Sequence, residues 1–299
     1  MTSSSQDAPA VPGTTPQTIG LLGSTGHLGS RVAHLLDRSG TPHMLFARQP
    51  DSPKVPRTAS TTQVRPADYT DPDGLRSALT GIDTLLMVSA TESPERLQLH
   101  AAVINAAAAA GVGHIVYTSF IGAAPDATFT FARDHYATEQ LLAAARDAGG
   151  PDFTALRNSF YLDVLPEFVG PDGALRGPAG QGRVSAVARD DVAAVAARVL
   201  QDPGAFAGRI VEITGREALT LEEVAAVITE ESGRPVRYVE ETVQEAYASR
   251  AHYGAPDWQV EAWVSTYTAI AAGEESTITN AVKEITGREP KTLRDLLRS

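Results

Sequence analysis

The chain has 299 residues, 42% of them apolar, and a formal net charge of −11 at pH 7. That length can bury a large core, as one large domain or two lobes, and the acidic balance argues against non-specific binding to nucleic acid or anionic membranes. Cysteine is absent, which excludes disulfides, thiolate metal sites and cysteine nucleophiles and fits a reducing compartment.

No apolar segment approaches the roughly 20 residues of a membrane span. Residues 1–16, rich in Ser, Thr, Pro and Ala, lack the basic start and apolar stretch of a secretory signal and read as a disordered tail. A soluble, cytoplasmic protein is expected.

Thr18 to Leu22 is an apolar run of strand length. Gly23-Ser24-Thr25-Gly26-His27-Leu28-Gly29 follows at once, and Ser30 to Ser39 then places Val32, Leu35 and Leu36 on one helical face. Strand, glycine turn and helix together make a nucleotide-binding unit. Gly23 lets the chain turn off the strand, Gly26 lets the backbone approach a diphosphate, and Gly29 lets the helix pack close to the sheet. The diphosphate would rest on free N–H groups at the helix start. The spacing is G-x-x-G-x-x-G, and the motif alone also fits a structural loop.

His43 to Ala47 predicts a second strand that ends in Arg48. An acidic residue at this place suits the 2′-hydroxyl of NAD, whereas an arginine suits the 2′-phosphate of NADP. An exposed loop arginine is the alternative. Gln63 to Arg65 is a weak third strand, and Asp71 is placed to cap a helix over 72–80. Ile82 to Val88 reads as a strand buried on both faces. A helix runs from Ser93-Pro94-Glu95 to Ala110, with Gly111 at its C-cap. His114 to Thr118, a helix from Phe131 to Ala148, and Phe153 to Arg157 continue the alternation. The rhythm predicts an α/β fold, a doubly wound parallel sheet of Rossmann type with ligand at the strand C-terminal ends.

Beyond Arg157 prolines and glycines break the rhythm. Arg183 to Ala188 is a candidate strand, 191–201 a helix with Asp190 or Asp191 at its start, and Arg209 to Ile213 a strand. Helices are expected over 220–232, 241–251, 257–272 and 279–286, with a strand near Val236 to Val239 and a last helix capped by Thr292. The expected division is a Rossmann domain over 17–159 and 183–214, with a smaller, mainly helical substrate lobe over 160–182 and 215–299. Trp258 and Trp263 read more readily as core or dimer contacts than as a substrate platform. The seven histidines show no metal-binding spacing, and neither a nucleophile elbow nor a P-loop lysine is present.

These pieces, in order, resemble the NmrA-like branch of the atypical short-chain dehydrogenase/reductases, and within it the type 2 NADPH:quinone oxidoreductases and triphenylmethane reductases. The stretches that carry the resemblance are GSTGHLG (23–29), Arg48, ADYTDPDGLRSALTGIDTLLMVSATES (67–93), HAAVINAAAAAGVGHIVYTS (100–119), DHYATEQLL (134–142), TALRNSFY (154–161) and RDDVAAVAARVL (189–200). It implies an NADPH site. Thr25, His27 and Leu28 would meet the diphosphate with Gly23, Gly26 and Gly29, and Arg48 the 2′-phosphate. Asp68 and Tyr69 would lie near the adenine, Val88 and Ser89 by the nicotinamide ribose, and Thr118, Ser119 and Phe120 near the nicotinamide. Asn158 and Tyr161 would line the substrate cleft.

Tyrosine-dependent relatives use a Tyr-x-x-x-Lys pair, in which the lysine lowers the tyrosine pKa. Here Phe131 stands at the tyrosine position and His135 at the lysine position. The quinone-reducing relatives also carry the histidine. His135 is then a candidate proton donor, or a hydrogen-bond partner of the nicotinamide ribose. Candidates for the chemistry are His135, Ser119, Asn158 and Tyr161. Asp163 stands where several relatives carry a second asparagine.

The resulting expectation is an NADPH-dependent reductase whose substrate is a small quinone, enone or polyketide-type aromatic, compatible with a homodimer. The same features fit a non-catalytic NADP(H) redox sensor that reports to a protein partner. A biosynthetic ketoreductase or isomerase on this scaffold is a third reading.

Overall fold

The computed structural model describes residues 17–298; the tail expected over 1–16 lies outside them. From the start of that range the chain alternates strand and helix. β1 (Ile19–Leu22), α1 (His27–Arg38), β2 (His43–Ala47), β3 (Thr61–Pro66), α2 (Pro72–Leu79), β4 (Thr84–Met87), α3 (Arg96–Ala110), β5 (His114–Phe120), α4 (Thr130–Asp147) and β6 (Asp152–Asn158) form the first half. After β7 (Ala174–Gly177) and β8 (Arg183–Val184) come α5 (Arg189–Gln201) and β9 (Ile210–Ile213). Then follow β10 (Leu219–Thr220), α6 (Leu221–Ser232), β11 (Arg237–Glu240), α7 (Val243–Arg250), α8 (Asp257–Ala271), α9 (Ala281–Thr286) and α10 (Leu293–Leu297).

The main sheet has seven parallel strands in the order β3-β2-β1-β4-β5-β6-β9. Its apolar strands serve both faces because side chains alternate. Leu21, Leu45, Leu86, Val116 and Leu156 pack with Val32 and Leu36 of α1 and with Val192 and Val195 of α5. Their neighbours Leu22, Phe46, Leu85, Ile115 and Ala155 pack the other way, against Leu75 of α2, Val103 and Ile104 of α3 and Leu142 of α4. The order reverses between β1 and β4, so a crevice opens there at the carboxyl ends of the strands.

A third cluster joins Leu162, Leu165 and Leu175 to Leu221 and Val224 of α6, Tyr267 and Ile270 of α8, and Leu293 of α10. Two small ladders support it, β11 parallel to β7 and β10 antiparallel to β8. The strand expected over 183–188 forms a ladder only at Arg183 and Val184, with a separate parallel bridge from Val187 to Tyr161. Beyond Val184 the Ser185 N–H bonds the Glu275 carbonyl and the Gly215 N–H bonds the Ser185 carbonyl. The helix expected from Pro94 begins at Arg96, with Glu95 at its N-cap. No helix among the described residues is long and apolar enough to cross a membrane.

Candidate active site

The turn after β1 leaves backbone N–H groups without partners among the described residues. Gly23 has φ +75°, and a Cβ there would lie 2.7 Å from that of Val88. The Gly26 N–H returns to the Gly23 carbonyl at 3.0 Å. The first bond of α1 runs from the Ser30 N–H to the Gly26 carbonyl. The N–H groups of His27, Leu28 and Gly29 therefore have no acceptor among the described residues, and the N-cap, Gly26, supplies none. Thr25, Gly26 and His27 are exposed. Leu28 offers its N–H only, since its side chain is in the core.

Gly29 has a different task from the one expected. Its absent Cβ would stand 2.2 Å from the Gly23 carbonyl oxygen, so the glycine lets the helix start fold onto the turn rather than onto the sheet. Sequence reasoning also missed Ser24, whose buried hydroxyl donates to the Phe46 carbonyl at 2.8 Å and ties the turn to β2.

Arg48 is exposed at the tip of β2. With Arg65, Asp68, Asp71 and Ser77 it lines a cavity of about 530 Å³. Arg65, a second cation that the sequence did not single out, is held by the carbonyls of Ala78 and Thr80 at 2.7 and 2.9 Å. Asp68 accepts from the Thr70 N–H and hydroxyl. The backbone bond, with Arg48 adding to it, keeps its carboxyl below the usual range. The Tyr69 hydroxyl donates to the Val88 carbonyl at 2.8 Å and so braces the end of β4.

Further along, the Ser89 N–H donates to Thr118 Oγ1 at 2.8 Å, which joins the ends of β4 and β5. Ser119 donates to Glu139 Oε1 at 2.6 Å. Its proton is committed to a buried carboxylate.

His135 is buried between two partners. Nε2 lies 2.9 Å from Arg96 Nη2, and Nδ1 lies 2.8 Å from the Tyr117 hydroxyl. A guanidinium can only donate, so Nε2 accepts and Nδ1 carries the ring proton. Burial first, then the Arg96 charge, lower the imidazole pKa well below its ordinary value. His135 is therefore a neutral imidazole and not the expected proton donor drawing on an ordinary imidazolium.

His100 repeats the arrangement. Its Nε2 accepts the Ala90 N–H at 2.9 Å, Nδ1 faces Thr138 Oγ1 at 2.8 Å, and burial pushes its pKa down to about 3. The Tyr117 phenol is pushed up by burial. No ring in this cluster titrates near neutrality.

On the other wall Asn158 is buried at the end of β6. Its Nδ2 donates to the Tyr161 hydroxyl at 3.4 Å, and its Oδ1 has no hydrogen-bond partner. Tyr161 lies under the Arg189 guanidinium at 4.9 Å. Asp163 accepts the Arg189 N–H at 2.8 Å and pairs with Arg31 at 3.5 Å, so it caps the start of α5.

Four rings run from the end of β5 to α8. Phe120 and Phe129 have centroids 4.9 Å apart, Phe129 and Phe131 5.7 Å, and Phe131 and Trp258 6.4 Å. All four are half-buried. Trp263 packs elsewhere, against Tyr253 and the small cluster of Ala246, Val260 and Val264.

Residues 23–203 match the NAD(P)H-binding family. Quinone oxidoreductase 2 of Escherichia coli is 36% identical over 245 residues, covering 80% of this chain and 83% of that protein. Two solved structures share the whole fold. An NADPH-dependent quinone oxidoreductase of Escherichia coli in complex with NADPH superposes with a TM-score of 0.82 at 30% identity, over 94% of this chain and 98% of that one. The triphenylmethane reductase of a Citrobacter species, in complex with NADP(H), does so with a TM-score of 0.80 at 27% identity, over 94% and 99%. The matched stretch spans the glycine turn, Arg48 and the Arg96–His135–Tyr117 cluster, and the chain belongs to the NAD(P)H-binding family, in its NmrA-like branch.

Proposed function

We propose that the chain is an NADPH-dependent reductase of flat, conjugated acceptors such as quinones, enones or polyketide-type aromatics. The observation that carries the acceptor class is the wall of Phe120, Phe129, Phe131 and Trp258. It begins at the end of β5, beside the strand ends where an α/β sheet holds its ligand. Half-buried rings offer stacking to a planar substrate and few hydrogen bonds to a sugar or a peptide.

The residues present fit the dinucleotide. Three unpartnered N–H groups lie at the start of α1, beside the exposed Thr25, Gly26 and His27. Arg48, exposed at the strand tip, suits a 2′-phosphate, and Asp68 and Tyr69 border the adenine side. Val88, Ser89, Thr118 and Phe120 frame the place of the nicotinamide. Bound NADPH supplies a hydride.

His135 holds its neighbours in place: its Nε2 anchors Arg96 and its Nδ1–H anchors Tyr117. Ser119 is engaged with Glu139, so its role is to shape the strand end. Asn158 and Tyr161 line the opposite wall, with the unfilled Asn158 oxygen free to accept from a substrate. A quinone needs no strong acid, because the hydroquinone anion is a weak base, and water supplies the proton. Residues 160–182 and 215–299 form the substrate lobe in this reading. In this reading the protein works in the cytoplasm.

The test is loss of NADPH absorbance with a panel of quinones, with NADH in parallel. Turnover with NADPH and much weaker turnover with NADH is the expected result. Tight NADPH binding without turnover on any acceptor would replace this reading with that of a sensor.

A further inference from the structure

Arg96 begins α3 directly after the loop that leaves β4. It is 5% exposed, and its fork is only partly used. Nε donates to the Ala90 carbonyl at 3.1 Å and Nη2 to His135 at 2.9 Å. Nη1 is buried and has no hydrogen-bond partner. It is ion-paired with Asp134 Oδ2 at 3.6 Å, beyond hydrogen-bond distance. One turn earlier, the Ser93 hydroxyl is also buried and unpartnered. Buried donors are nearly always satisfied, and each one left open costs about 1–3 kcal/mol. Two open donors on one turn call for an acceptor atom that arrives with a ligand.

The position says what kind of ligand. The ring of Phe131 stands over the guanidinium, 5.3 Å from its carbon. The same ring belongs to the aromatic wall, between Phe129 and Trp258. The guanidinium therefore adjoins an inner ring of the wall on which a planar molecule would stack. The loop that carries Ser93 and leads into Arg96 is held to the start of α8 by the bond from Gln259 Nε2 to Glu92 at 2.9 Å. The charged groups facing the guanidinium are few. Asp134 of α4 is raised by burial, and His135 is neutral.

We propose that Arg96, with Ser93, is the binding site for the carbonyl oxygen of a conjugated acceptor and stabilises the negative charge that forms on it. The inference rests on the reductase reading above. When the acceptor takes a hydride from NADPH, a carbon–hydrogen bond forms and the π electrons of the conjugated system move onto the oxygen. Nη1–H and the Ser93 hydroxyl hold that oxyanion. The cofactor leaves oxidised, a proton from water converts the oxyanion to the enol, and with a quinone that product tautomerises to the hydroquinone by moving a proton from the ring carbon to the second oxygen.

A phenol is a stable mimic of that oxyanion. Titration of 4-nitrophenol with the NADP⁺-loaded protein reads the ionised form by its visible colour. The wild type should lower the apparent pKa of the bound phenol by about one unit or more. Arg96→Met should abolish the shift and reduce quinone turnover by on the order of 10²-fold with NADPH affinity unchanged. Arg96→Lys should restore part of the shift.

A wild-type protein that leaves the phenol pKa unmoved overturns the proposal, whether or not any variant folds. So does an Arg96→Met protein that keeps full turnover. A lowered phenol pKa without turnover on any quinone would leave the Arg96 site standing and remove the reductase reading instead.

Discussion

Arg157 of β6 grips Glu139 of α4 with two hydrogen bonds, Nε to Oε1 at 2.9 Å and Nη2 to Oε2 at 2.6 Å. Glu139 is only 3% exposed, and the Ser119 hydroxyl is its third donor. The carboxylate thus joins two neighbouring strands to the helix above them. A buried carboxylate depends on such partners, because its desolvation penalty remains when they are removed.

Glu139→Gln should therefore cost about 3–5 kcal/mol, since it leaves the Arg157 charge without its counter-ion. Ser119→Ala removes one bond to a charged acceptor and should cost about 1.5–3 kcal/mol. Urea unfolding measures both. Turnover of Ser119→Ala should fall by only a few fold, against the 10²–10⁴-fold expected of a general acid. A larger loss in a folded protein would return Ser119 to the chemistry.

The buried histidines predict how stability depends on pH. Burial lowers His100 from 6.5 to about 3, and His43, His114 and His135 are displaced the same way. The unfolded chain therefore binds more protons than the native one below pH 6.5. Their contribution is complete above that value and is lost as pH falls, for His100 by about 1.4 kcal/mol per pH unit down to its folded pKa. Urea midpoints should drop between pH 6.5 and 4, and His100→Gln, though less stable at neutral pH, should show a shallower slope. An unchanged slope would mean that His100 is protonated in the fold.

In the proposed reading Arg48 sets the cofactor preference. Arg48→Ala should weaken NADPH by about 10- to 150-fold, the worth of a charge-assisted contact of roughly 1.5–3 kcal/mol, and leave NADH nearly unaffected. Arg65→Ala is different, because its guanidinium also closes the carbonyls of Ala78 and Thr80. It should lower thermal stability as well as affinity. Titration of each variant with both nucleotides, with melting curves in parallel, separates the two roles. An NADPH/NADH affinity ratio unchanged in Arg48→Ala would remove Arg48 from the site.

Much of this was legible in the sequence because the signals were local. The apolar alternation of Leu21 with Leu22 and of Leu85 with Leu86 serves both faces of one sheet. The Asp71 side chain accepts from the Gly74 N–H as its spacing before the helix requires, and Thr292 caps the last helix with Asp295. The site was legible only where it is continuous, as in the glycine turn. Arg96, His135 and Tyr117 come from three elements, separated by 39 and 18 residues in sequence. No periodicity marks such a meeting. β7 was missed because its residues, Ala-Leu-Arg-Gly, lie among prolines and glycines and find their partner in β11, some sixty positions later. The reach of Gly29 toward the Gly23 carbonyl depends on how tightly the turn closes, which residue type alone does not state.

That reach separates two glycines that look equivalent in the sequence. A methyl group at Gly29 would meet the Gly23 oxygen at 2.2 Å and the Gly23 carbonyl carbon at 2.7 Å. Both are backbone atoms and cannot swing aside, so Gly29→Ala must open the turn. It should destabilise the protein by about 1–3 kcal/mol and lose most NADPH affinity, because the N–H groups no longer converge. A methyl group at Gly26 meets only the same oxygen, at 3.4 Å, and points from an exposed position. Gly26→Ala should change stability by less than about 1 kcal/mol, yet still weaken NADPH by standing where the diphosphate must approach. Melting curves with and without NADPH distinguish the pair. Two variants with wild-type ligand-induced shifts would show that the diphosphate does not rest on this turn.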